Sequence, residues 1–183
     1  MPESAKPLQG ERMRPSPGKY ALEKLTHEEL LGLAAQKLAA RFKGAAEGAL
    51  PPPHVAERAL AQLEAGMPAF WCVPFLIVEK PGGAVLGGCT FKGMPVGGEV
   101  EIAYGVARQA RGRGVATEAV AQLLQLAAQE ESVQRVVAEI LPSNIASSRL
   151  VSRLGFTKGP AFIDTDGETV VRWTYPCCLT QAK

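Results

Sequence analysis

The stretch Arg111-Gly112-Arg113-Gly114-Val115-Ala116-Thr117 decides how the rest of the chain is read. Before it, residues 99–106 alternate with a period of two; after it, Val115, Ala119, Val120, Leu123, Leu126 and Ala127 recur at helical spacing. A strand therefore ends and a helix begins across two glycines and two arginines. The first amides of a helix lack internal partners and sit at the positive end of its dipole. Glycines let an anion approach the backbone, and arginines add charge-assisted hydrogen bonds. Such a junction is suited to phosphate, and a ligand carrying a diphosphate is the first expectation.

Working outward, the strand places Val100, Ile102, Tyr104 and Val106 on one face and Glu99, Glu101, Ala103 and Gly105 on the other. Upstream, Phe75 to Glu79, a Pro81-Gly82-Gly83 turn and Ala84 to Phe91 predict an antiparallel hairpin. Downstream come a strand over Arg135 to Ile140, a helix from Asn144 to Leu154 and a break at Gly155-Phe156. A last hairpin turns at Asp166-Gly167 and returns over Glu168 to Tyr175, with 159–167 read as loop. Two helices precede the sheet as a helical edge or a substrate-side wall. One runs from Thr26, its cap, to Phe42 with Glu28 and Glu29 in its first turn; the other runs from His54 to Ala65 and stops at Gly66. The expected architecture is α/β, a mostly antiparallel mixed sheet flanked by helices.

At 183 residues and 46% hydrophobic content, the chain is long enough for one domain with a sizeable core. Residues 1–19, with Pro2, Pro7, Pro15 and Pro17 and few large apolar groups, read as a flexible tail, leaving 20–183 as the domain. A net charge of +2 gives no argument for nucleic acid as a partner. No apolar run approaches the roughly 18 residues of a membrane span, so the expectation is a cytoplasmic protein with no membrane partner. Cys72, Cys89, Cys177 and Cys178 lack C-x-x-C spacing, and His27 and His54 lie far from the glycine loop, so no metal site is expected.

Two common phosphate motifs fail. No G-x-x-x-x-G-K-[S/T] sequence occurs, and Thr117 stands where a dinucleotide fingerprint needs its third glycine or alanine. The loop also follows an antiparallel run rather than opening a parallel βαβ unit. A different match fits better. Arg111-x-x-Gly114-x-Ala116 resembles the acetyl-coenzyme A signature of the GCN5-related N-acetyltransferases, the GNAT superfamily: Arg or Gln, two residues, Gly, one residue, Gly or Ala. The blocks Glu101-Ile-Ala-Tyr104, Thr117-Glu-Ala, Asn144-Ile-Ala-Ser147 and Leu154-Gly-Phe156 follow in the order of the Rim-type branch, which is similar to ribosomal-protein N-terminal acetyltransferases. The resemblance covers about residues 68 to 175.

This resemblance implies the acyl-coenzyme A N-acyltransferase fold and acetyl-coenzyme A as cosubstrate. The amides of Arg111, Gly112, Arg113, Gly114, Val115 and Ala116, with the Thr117 hydroxyl, would take the pyrophosphate, and the backbone of Val106 and Ala107 would pair with the pantetheine arm. Acetyl transfer to an amine needs a neutral nucleophile, an oxyanion donor and a proton for the departing thiolate. Glu101 is the candidate base, against a solvated or ion-paired strand carboxylate, with Glu99 a weaker competitor. By resemblance Asn144 contacts pantetheine and Ser147 donates the proton. Asn144 also suits a helix N-cap, while Tyr104 is a rival donor whose place on an apolar face is better explained by core packing.

The expected activity is acetyl transfer from acetyl-coenzyme A to a primary amine in a ternary complex, the acceptor being a protein N-terminus or a small molecule. The rival is a non-catalytic coenzyme A-binding sensor or assembly module. Oligomeric state is left open, with a homodimer among the options.

Overall fold

The structure, a computed structural model, describes residues 18–177. The expected tail lies outside these residues except at Gly18 and Lys19, and so does Cys178. The described chain runs β1 (Tyr20–Lys24), α1 (His27–Ala34), α2 (Pro53–Glu64), α3 (Ala69–Cys72), β2 (Phe75–Glu79), β3 (Val85–Phe91), β4 (Glu99–Val106), α4 (Val115–Ala127), β5 (Arg135–Ile140), α5 (Ile145–Arg153), β6 (Thr157–Ile163) and β7 (Thr169–Pro176). Single 3₁₀ turns precede α2, at Ala40–Phe42, and α4, at Arg108–Ala110. The strands form one seven-stranded sheet in the order β1-β2-β3-β4-β5-β7-β6, antiparallel except where β4 meets β5.

The expected mixed, mainly antiparallel sheet is therefore present, with three local corrections. The first helix ends at Ala34 rather than Phe42. Gln36 adopts a left-handed φ of 54°, and the Gln36 and Lys37 N–H groups bond back to the Leu33 and Gly32 carbonyls, a Schellman end built without glycine. The start of this helix is as expected, Thr26 and Glu29 forming a reciprocal capping box. Second, Tyr20–Lys24 adds an edge strand to β2 where the sequence suggested none. Third, most of the expected 159–167 loop is strand, because β6 runs to Ile163 against β7.

Helices cover the N-terminal half of the sheet on both sides. Val115, Ala119, Val120 and Leu123 of α4 pack into one cluster with Ile77, Val100 and Ile102, all buried. Each large aliphatic group so buried contributes about 1.5–3 kcal/mol. Alternate residues of β2, Leu76 and Val78, face the other way and join Leu30, Leu33, Ala56 and Ala59 of α1 and α2. Among the described residues no helix is long and apolar enough to cross a membrane.

The junction between β4 and β5 positions the site. Their ladder lasts only from Glu99 opposite Arg135 to Glu101 opposite Val137, although β4 continues to Val106 and β5 to Ile140. On its other side β4 stays paired with β3 as far as Val106 opposite Gly87. That contact is close: a Cβ on Gly87 would stand 2.3 Å from the Gly105 carbonyl oxygen. Glycine is required there so that β3 can support β4 where β5 no longer does.

Candidate active site

Alternate residues of an antiparallel strand direct both backbone groups to the same neighbour. The Glu101 carbonyl accepts from Lys92 N–H and the Ala107 N–H donates to the Leu86 carbonyl, so odd-numbered residues of β4 face β3. Tyr104 and Val106 consequently turn their backbone groups toward the gap left by β5. There the Val106 carbonyl accepts only a long, 3.5 Å bond from Arg111 Nε. By resemblance Ala107 is expected to pair with the arm as well, and its backbone groups already have partners within the protein. Its N–H is spent on Leu86, and its carbonyl already accepts from Ala110.

The glycine loop leads from this open edge into α4. Gly114, at φ 79°, is the residue before the helix and supplies no side-chain cap. Among the described residues no backbone carbonyl or side chain accepts from the N–H groups of Gly112 to Thr117. The result is a row of unpartnered donors at the positive end of α4, the arrangement that holds a phosphate. The two arginines divide their work. Arg111 reaches back to Val106, whereas Arg113 pairs at 2.5 Å with Glu79 at the end of β2. Tyr20 ties the loop from the other side: its hydroxyl donates to the Arg113 carbonyl at 3.3 Å and its N–H to the Glu118 carboxylate at 3.1 Å. These ties join residues more than ninety positions apart, and nothing in the sequence announces them.

Across the gap stands α5. Asn144 is its N-cap, the side-chain oxygen accepting from Ser147 N–H at 3.1 Å, so the capping role is realised and the amide nitrogen is left as a donor. Ser147 is half-buried, and its side chain lies against the Tyr104 hydroxyl. That hydroxyl is shielded from water without a completed hydrogen bond. Burial pushes the Tyr104 phenol up from its ordinary pKa, an effect partly offset by Ser147. An orphaned buried hydroxyl beside a second hydroxyl is suited to a ligand atom that accepts a proton.

Glu101 lies on the opposite face of β4 from Tyr104, and its carboxylate pairs with Lys92 Nζ. The structure therefore joins Tyr104 with Ser147 but keeps Glu101 apart; only a group threaded between β4 and β5 meets both faces. Lys92 is the partner that sequence reading missed. Glu99 is held in a network by Arg135 at 2.9 Å and Arg172 at 3.6 Å, which suits a structural carboxylate. No three His, Cys, Asp or Glu residues gather as a metal site among the described residues. A concavity of about 730 Å³ beside α1 is separate from these groups, and in it Arg41 is already satisfied by Glu29 and Glu23.

Comparison with known proteins agrees with this geometry. The chain is 31% identical over 83 residues to the uncharacterized N-acetyltransferase YjdG of Bacillus subtilis, the match covering 45% of this chain and 49% of that protein. It thus spans about half the length of this curated relative. Among solved structures, the ribosomal-protein-S5-alanine acetyltransferase from Vibrio fischeri superposes with a TM-score of 0.62 at 13% identity, covering 88% of this chain and 94% of the other. The aminoglycoside acetyltransferase AAC(6')-Ib, in complex with coenzyme A, does so with a TM-score of 0.60 at 17% identity, covering 86% and 94%. The family model for the acetyltransferase (GNAT) domain matches residues 21–157, and the chain belongs to that family.

Proposed function

We propose that this protein is an N-acetyltransferase that carries the acetyl group of acetyl-coenzyme A to a primary amine by direct attack in a ternary complex. One observation carries the reading: the unpartnered donors of Gly112 to Thr117 lead into the open edge of β4, which ends beside Tyr104 and Ser147. In this reading the loop amides and the Thr117 hydroxyl hold the diphosphate. Val106 pairs with the pantetheine arm, displacing the weak Arg111 contact, and Asn144 donates its side-chain N–H to the same arm. The thioester then lies in the gap between the strands.

The amine nitrogen attacks the thioester carbonyl, the new C–N bond forms, and the C–S bond breaks. Glu101 takes the amine's proton, directly or through water. An α-amine with a pKa of about 8 is already partly neutral, so this assistance is modest. Ser147, beside the still-protonated Tyr104, supplies the proton to the thiolate. The steps need no metal and no covalent enzyme intermediate, and a cytoplasmic location goes with the reading. The two superposed neighbours name a ribosomal protein and an aminoglycoside, so both a protein N-terminus and a small amine suit the fold.

The test is direct. Purified protein is incubated with acetyl-coenzyme A and a panel of peptides and small amines, with free thiol and acetylated product measured by mass spectrometry. Saturable turnover on some amine is expected. Saturable binding of acetyl-coenzyme A without product across the panel would instead establish a coenzyme-binding module.

A further inference from the structure

The helix α2 presents three faces. Ala56 and Ala59 are buried against α1, while His54, Glu57, Ala61 and Glu64 are exposed. Between these faces lie Arg58 and Gln62, half-buried and one helical turn apart, hence side by side. Gln62 fixes where this third face looks, because its Nε2 donates to the Lys92 carbonyl at 3.0 Å. Lys92 is the residue whose N–H bonds the Glu101 carbonyl and whose ammonium pairs with the Glu101 carboxylate. The third face of α2 is thus tied, through one residue, to the candidate base.

Two polar atoms on this face are unsatisfied. Arg58 Nε and Gln62 Oε1 are both shielded from water and have no hydrogen-bond partner. No carboxylate lies within ion-pairing distance of Arg58 among the described residues, whereas the charge of Lys92 is neutralised by Glu101. Native proteins leave few buried polar atoms without partners. A donor and an acceptor unsatisfied together, one turn apart, are matched by a ligand that brings an anionic oxygen to one and an N–H to the other.

We propose that Arg58 and Gln62 form the acceptor subsite, and that the acceptor is a small amine bearing a carboxylate a few bonds from its nitrogen, as in an α-amino acid. This rests on the N-acetyltransferase reading. The carboxylate docks side-on against Arg58 through Nε and a terminal nitrogen, the bidentate geometry that guanidinium groups favour. The amine N–H then faces Gln62 Oε1 with the Glu101 carboxylate beyond it. Transfer forms the N–acetyl bond and breaks the C–S bond. The amine's proton passes to Glu101 or water and the thiolate takes up a proton, the carboxylate being unchanged. A carboxylate is favoured over a neutral carbonyl because Arg58 is a cation without a counter-charge on this wall.

The experiment uses the full chain, acetyl-coenzyme A, and the common α-amino acids beside their methyl esters and amides. At least one acid should exceed its own ester and amide in kcat/KM by about tenfold or more, the scale of a lost charged hydrogen bond. Arg58→Gln should erase that preference by lowering kcat/KM for the acid to the level of its ester, with the dissociation constant for coenzyme A as the control; Arg58→Lys should restore part of it. Circular dichroism and Tm of each variant establish that it is folded. Equal rates for acid and ester in the unsubstituted protein, turnover confined to peptides or uncharged amines, or discrimination surviving in Arg58→Gln would each overturn the inference while leaving the acetyltransferase reading in place. Absence of acetylation with every amine would remove both.

Discussion

Substituting Gly114 by Asp and, separately, by Asn separates charge from shape at the proposed diphosphate seat. Both side chains have nearly the same size, and both must adopt the left-handed φ of 79°, a conformation that Asn and Asp tolerate better than most residues. A Cβ at this position meets nothing within 4 Å, so neither variant is expected to clash. They differ in one negative charge at the exposed start of α4. In a water-like dielectric, a charge pair about 5 Å apart repels by about 0.8 kcal/mol, or about 1.7 kcal/mol against a doubly charged diphosphate. The Asp variant should therefore bind coenzyme A about 15-fold more weakly than the Asn variant. Isothermal titration calorimetry at low salt and at about 0.5 M salt measures this, and screening should shrink the ratio. Fold stability should move the other way, because the α4 dipole favours Asp over Asn at its N-terminus. Equal affinities for the two variants at low salt would refute the placement of the diphosphate at this loop.

The same structure fixes four further outcomes. Tyr104→Phe deletes a buried hydroxyl that has no completed hydrogen bond, so Tm should stay level or rise while kcat falls and coenzyme A affinity holds; a drop in Tm with full turnover would show that the hydroxyl supports only the fold. Burial raises the Tyr104 pKa, so the folded protein favours the neutral phenol. The corresponding stability is present at lower pH and is lost as pH rises through about 10, where the unfolded phenol ionises first; urea unfolding at pH 8 and pH 11 should show a smaller loss in Tyr104→Phe. Gly87→Ala places a methyl 2.3 Å from the Gly105 oxygen, and overpacking of about 1–3 kcal/mol should lower Tm by several degrees, an unchanged Tm being the contrary result. Cys89 is buried with its thiol pushed up to about 12, so about one in ten thousand molecules is thiolate at pH 8. Labelling by a disulfide reagent should therefore be slow until denaturant is added, and rapid native labelling of Cys89, identified by peptide mapping, would contradict its burial.

Legibility in the sequence depended on whether a local residue type carried the signal. The helices α2 and α5 end in the same hydrogen-bond pattern as α1, but at Gly66 and Gly155, whose positive φ glycine adopts freely. Both ends were readable, whereas the α1 end at Gln36 was not, since glutamine carries no such preference. The strand β1 was missed for the opposite reason. Ala, Leu, Glu and Lys favour helix, and the segment Tyr20–Lys24 becomes strand because it pairs with β2 and because Gln122 and Glu118 hold the Tyr20 backbone. Long-range pairing overrides propensity there. The tie between Gln62 and Lys92 was not legible because it joins positions thirty apart in the chain, and nothing local marks Arg58, whose Nε has no hydrogen-bond partner among the described residues.

The candidate site shows the same division within a single strand. Period-two alternation in β4 correctly separated Glu101 from Tyr104 by face, yet alternation is blind to which edge of a strand lacks a neighbour. The parallel ladder to β5 ends at Glu101, so this carboxylate stands at the vertex of the opening while Tyr104 and Val106 border it. Had the ladder continued to Val106, β5 would have occupied the backbone groups of Tyr104 and Val106, and the donors of the glycine loop would lead to a closed sheet. The proposed phosphate seat was readable because a helix start creates its own unpaired amides. The space in which chemistry takes place arises instead from two strands that part after three residue pairs, a property of neither strand alone.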